Sequence, residues 1–251
     1  MLFDIRGRRK HVVRVVYAVL ALLMGASLFL VVGPFNIASL IGGSATTETA
    51  KVLVEQAERA EAKLRREPDN PALLLSLARS RVNAGNAQIE KDPQTGAPLI
   101  DSEARESFDT ATEAWNRYLE QTESPSFSGA QLMASAFFTL AQASNGIEAI
   151  DEALANAARA QRIAAEAQPS VGTLTTLAIY EYFNGEFAAG DRAGKEAEAK
   201  ATTAQAKEIE KQLVEYRKRG KSWETEKKRA AKVEKEQGKE ALKNPFGGLG
   251  G

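Results

Sequence analysis

The chain has 251 residues, of which 43% are hydrophobic and 26% charged, enough apolar material for one large or two small packed domains with an ordinary soluble surface. It contains no cysteine, which excludes disulfides, thiolate metal sites and cysteine nucleophiles. Its one histidine, His11, leaves the rest of the chain without a histidine base or a histidine zinc ligand. The formal net charge of zero separates into +4 over residues 1–14, −9 over residues 46–206 and +5 over residues 207–251.

Residues 1–14 are a basic segment, with Arg6, Arg8, Arg9, Lys10 and Arg14 against Asp4 alone. Val15 to Val32 then runs for 18 residues without a charge. At about 1.5 Å per residue this covers ~27 Å, close to the hydrocarbon thickness of a bilayer. Gly33-Pro34 closes the helix, so a transmembrane segment is expected over 15–33, followed by a short tether over 34–46. The next basic residue is Lys51, so lysine and arginine lie on the N-terminal side of the apolar run. That bias puts the N-terminus in the cytoplasm and the body outside it, in a single-pass plasma-membrane protein. A cleaved signal peptide, cut near Gly43-Ser44-Ala45, is the competing reading. The apolar run is longer than the usual ~7–15 residues of such a peptide, and the small residues lie well beyond its end.

From Thr47 onward the composition changes to Ala, Glu, Leu, Gln, Lys and Arg, all good helix formers, with no stretch that alternates as a half-buried strand does. Breaks fall at Pro68-Asp69-Asn70-Pro71, Gly85-Asn86, Asp92 to Pro98, Ser124-Pro125-Ser126, Ser144-Asn145-Gly146, Gln168-Pro169-Ser170 and Asn184-Gly185. Between them apolar residues recur every three or four positions, as in Leu73, Leu74, Leu77, Ala78 and Val82, or Phe108, Ala111, Trp115, Tyr118 and Leu119. An all-α body of antiparallel helical hairpins is expected over 47–206, starting with a helix from about Thr49 to Glu67. The stretch from Ala87 to Asp101 reads as an inserted loop.

A repeat is visible in this body. Leu77-Ala78 is followed after six residues by Gly85-Asn86, and Leu177-Ala178 after six residues by Gly185-Glu186-Phe187, at a separation of 100 positions. That is near three periods of about 34 residues. A third copy starts at Leu140-Ala141 with its turn shortened to Ser144-Asn145-Gly146, and Ala157, Ala164 and Pro169 supply its small, small, proline spacing. Residues 49–200 therefore resemble the tetratricopeptide-repeat family, in which helix A carries a Leu-Gly/Ala pair and ends in a glycine turn. The resemblance implies an alpha solenoid in which Ala78 and Ala178 let helix B approach helix A, Gly85 and Gly185 end helix A, and Phe187 and Ala197 open and pack helix B. No tryptophan stands at the family's helix A position; Leu74 and Leu174 are nearest to it. A generic helical bundle is the plain alternative.

The tail reads as a charged helix over 207–243, interrupted at Gly220, with Ile209, Leu213 and Tyr216 capping the repeats, and a Gly-rich end over 244–251. No catalytic, cofactor or metal constellation stands out. Glu148, Asp151 and Glu152 read as favourable charge at a helix start, and Trp115 and Tyr118 as core residues. The expectation is a non-enzymatic, cofactor-free adaptor of a type resembling bacterial membrane-anchored tetratricopeptide proteins. Such proteins serve in envelope biogenesis or translocon-linked chaperoning, which implies protein or peptide partners and no nucleic acid. A structural spacer that forms homo-oligomers and a body facing the cytoplasm remain the rival readings.

Overall fold

The computed structural model describes residues 47–94, 98–144 and 146–243. The expected transmembrane segment 15–33, the tether 34–46 and the tail 244–251 lie outside the described residues; among those described, no helix is long and apolar enough to cross a membrane. The body is all-α. Eight helices occur among the described residues: α1 Thr47–Leu64, α2 Pro71–Ala87, α3 Ser102–Glu120, α4 Phe127–Ala143, α5 Ile147–Ala167, α6 Val171–Phe183, α7 Phe187–Lys200 and α8 Thr203–Lys243.

Helix starts follow from capping chemistry. The Asn70 side chain accepts from the Ala72 and Leu73 amides with Pro71 in the first turn, Asp101 accepts from Ala104, and Ser126 from Gly129. Ser170 and Thr173 satisfy each other's backbone amides in a capping box. The loops between α4, α5, α6 and α7 are short, so these helices fold back as hairpins. Consecutive helices pack throughout, except that α4 leans more on α2 than on α3. Tyr118 fixes the α3–α4 connection, its hydroxyl oxygen accepting from the Ser126 amide at 2.8 Å.

One continuous core runs through all eight helices. Phe108, Trp115, Leu74 and Val82 fill its first half. In the second half the Phe138 ring of α4 stacks on Tyr180 of α6 at 4.9 Å, and Phe183 meets Phe138 and, edge-on, Tyr216 of α8. Burial raises the pKa of both Tyr180 and Tyr216 above the usual tyrosine value.

Three local expectations are corrected. The insertion contains a two-residue antiparallel ladder, β1 Glu90–Lys91 with β2 Pro98–Leu99, where only a loop was expected. The Asp92 carboxylate accepts from the Gln94 amide at 2.8 Å and turns the chain, a local bond that needs no alternating pattern. Gly85 does not end α2, which continues to Ala87; a Cβ at this position would lie 3.0 Å from a Phe108 ring carbon, so the glycine serves close helix approach. Nor does Gly220 interrupt α8. A Cβ there would sit 2.3 Å from the Tyr182 carbonyl oxygen, and its absence lets an unbroken helix cross the end of α6.

Only Gly185 among the described residues takes a positive φ, +84°. The Glu186 amide reaches back to Glu181 O at 2.8 Å and Gly185 N to Tyr182 O at 3.3 Å, which closes α6 in a Schellman motif. Phe187 follows, its ring 6.3 Å from Tyr182.

Helix α8 is clamped to this end of the body. Arg217 grips Asp191 of α7 with two hydrogen bonds, 2.8 and 3.0 Å, and lies 5.7 Å over the Phe187 ring. The Tyr182 hydroxyl donates to the same carboxylate. The Arg217 hydrogen bonds hold Asp191 below the usual carboxylate range against the opposing effect of burial, while burial and the Asp191 contact push Tyr182 up. Further along, Lys227 donates to Asp151 of α5 at 2.7 Å. Burial alone would lower the Lys227 pKa, but its bonds to Asp151 and Glu224 outweigh that and raise it.

Candidate functional site

The repeat landmarks can be placed by counting from the helix caps. From Asn70 the seventh and eighth residues are Leu77 and Ala78, and from Ser170 they are Leu177 and Ala178; all four are buried. From Ser126 the same positions hold Met133 and Ala134, also buried. Leu140 and Ala141 lie seven residues later, in the last turn of α4, where Ala141 is buried and Leu140 half-buried. Met133-Ala134 thus hold in α4 the positions, counted from the cap, that Leu77-Ala78 hold in α2 and Leu177-Ala178 in α6. Ala164 is buried in α5. These landmarks build core; none of them forms a chemical centre.

The hairpins instead leave a cleft of about 460 Å³ between α5, α6 and α7, inside the usual range of ligand sites. Its apolar wall comes from Ala165, Pro169, Leu174, Leu177, Ala189 and Ala193. Arg162, Glu166, Arg192 and Glu196 add charge, and Glu181 reaches into it from α6.

Glu181 is the unusual member. Leu174, Leu177, Ala178 and Glu181 follow helical spacing, so the carboxylate points into the buried stripe of α6 and is 1% exposed. Its Oε1 accepts from Nη2 of Arg162, whose side chain remains 47% exposed and so covers the carboxylate from the solvent side. Glu181 Oε2 is buried and accepts no hydrogen bond. A buried acceptor left unmade costs about 1–3 kcal/mol, more when charged. The cleft thus holds a carboxylate satisfied on one oxygen only.

Sequence reading by repeat landmarks missed Glu181, although a charged residue on an otherwise apolar stripe was the signal that marks it. Asp151, from the acidic cluster at the start of α5, is an anchor for α8 through Lys227. Trp115 and Tyr118 are both buried, with ring centroids 5.3 Å apart. Among the described residues no group of three or more His, Asp or Glu side chains is arranged to hold a metal ion.

No protein-family model, curated protein or solved structure matches the chain. The tetratricopeptide resemblance accordingly rests on the residues named above.

Proposed function

We propose that this chain is a membrane-tethered adaptor whose helical hairpins, stacked in the manner of tetratricopeptide repeats, bind a peptide or protein segment outside the cytoplasm. The observation that carries this reading is the open, apolar-walled cleft between α5, α6 and α7, with its half-satisfied carboxylate. Consecutive hairpins capped in matching register support the repeat-like stacking, and the charge-free run of 15–33 supports the tether. Charge adds to it: the net of −9 over residues 46–206 favours partners with basic surfaces. The fit of such helpers to envelope biogenesis or translocon-linked chaperoning comes from the resemblance alone.

One observation favours a second reading, a spacer that self-associates. Val214 on α8 is 64% exposed, a large apolar side chain on the outer face of a helix about 60 Å long. In-cell crosslinking of the full-length protein, followed by capture and mass spectrometry, separates the two. The adaptor reading expects other proteins among the crosslinked neighbours, lost when residues 47–243 are deleted. Recovery of the chain crosslinked only to itself would establish the spacer.

A further inference from the structure

We propose that the α5–α6–α7 cleft recognises a lysine or arginine side chain flanked by apolar residues in an extended peptide, with Glu181 as the anchor and Arg162 as an internal stand-in for the ligand's cation. The inference rests on the adaptor reading and specifies its ligand. Four features lead to it. The wall of the cleft is apolar, and suits the stem of a long cationic side chain and its neighbours. At its inner end Glu181 offers a buried oxygen with no donor. The donor it does have comes through a single Arg162 nitrogen, on a long side chain that is half in water. Finally, three carboxylates at the cleft, Glu166, Glu181 and Glu196, outnumber its two guanidinium groups, Arg162 and Arg192, which leaves it net negative.

The physical logic is exchange. A buried carboxylate prefers two charge-assisted donors to one. Arg162 occupies Oε1 and shields Oε2 until an incoming ammonium or guanidinium supplies the missing bonds. Arg162 can then swing into solvent, where Glu166, one helical turn along α5, can receive it. Uncharged apolar peptides would gain only the wall. Acidic peptides would meet three carboxylates against the two guanidinium groups of Arg162 and Arg192.

The test uses the full-length protein in detergent micelles and short fluorescent peptides in two matched sets. One set carries lysine between apolar residues; the other has norleucine in its place, which keeps the stem and removes the cation. Fluorescence anisotropy is expected to show the lysine set binding about ten- to hundredfold more tightly, the scale of one charge-assisted hydrogen bond. Glu181→Gln should abolish that preference, and Arg162→Met, which removes the competing cation, should strengthen lysine binding. The wild-type comparison needs no variant, so it stands even if either substitution disturbs folding.

Equal binding of both sets would overturn the basic anchor while leaving a peptide-binding cleft. No binding of either set up to about 1 mM peptide, a Kd equivalent to about −4 kcal/mol, would overturn the inference and leave the adaptor reading to in-cell capture. A preference for lysine that Glu181→Gln does not change would place the site elsewhere and overturn it too.

Discussion

Leu-Ala followed after six residues by glycine occurs at Leu77-Ala78 with Gly85 and again at Leu177-Ala178 with Gly185, yet the two regions use their glycines in different ways. Gly185 takes a left-handed backbone angle and ends α6, with Phe187 folding back beside Tyr182. Gly85 stays helical, and the ring of Phe108 lies against it. The residues just after each glycine make the difference. After Gly185 an aromatic residue two positions on has an apolar partner within reach, and the hairpin turns at once. After Gly85 come Asn86, Ala87 and Gln88, which offer no such anchor, and the chain runs on into the β1–β2 insertion. The same Leu-Ala-to-glycine spacing thus produced a turn in one place and a close helix contact in the other, according to the residues that follow the glycine.

Substitutions can sharpen this contrast. The largest effect is expected at Phe108, which is 1% exposed: Phe108→Ala should cost about 3–5 kcal/mol in chemical unfolding, through lost burial and a cavity beside Gly85. Next is Gly220→Ala. Its Cβ would press on the Tyr182 carbonyl, which is backbone and cannot swing aside, so a loss of about 1–3 kcal/mol is expected. Hydrogen exchange should then show protection lost in α8 before α2 and α3. Gly185→Ala should cost about 1–2 kcal/mol, the strain of a left-handed alanine. At Gly85 the ring carbons of Phe108 lie 3.0–3.2 Å from an added Cβ, but alanine recovers about 0.5–1 kcal/mol of helix preference, so Gly85→Ala should cost less than Gly185→Ala. Thermal melts of the two variants in parallel check the order; a larger loss at Gly85 would break the distinction between contact glycine and turn glycine.

The smallest effect is a pH dependence at the α8 clamp. Asp191 has its pKa lowered by Arg217, so its contribution is present above the ordinary carboxylate value and is lost as pH falls through the lowered one. Acidification below about pH 4, near the unfolded Asp value, should therefore loosen α8 in wild type. Asp191→Asn should remove that part of the acid sensitivity, read as exchange protection of α8 against pH.

Much of the helical architecture could be read from the sequence, because caps and breakers act locally. Asn70, Asp101, Ser126 and Ser170 sit one residue ahead of four helices, and Leu74, Leu77, Ala78 and Val82 make a buried face at helical spacing. The features that were not legible depend on partners far along the chain. Gly220 resembles a helix breaker until the Tyr182 carbonyl is placed beside it. Glu181 stands out as a charge on the apolar stripe of α6, but its partner Arg162 lies 19 positions earlier and only the packing of α5 on α6 brings the two together. The ladder at Glu90 and Leu99 is too short to leave a pattern.

The central claim, that the cleft rather than the outer face of α8 meets the partner, is tested most directly by site-specific photocrosslinking in cells. A photoreactive amino acid would replace Ala189, on the cleft wall, or Val214, on the exposed face of α8, in the full-length protein. The account predicts crosslinks to other proteins from position 189 that are absent from position 214. Crosslinks to a second copy of the chain from 214, with none to any other protein from 189, would contradict it and make the chain a self-associating spacer.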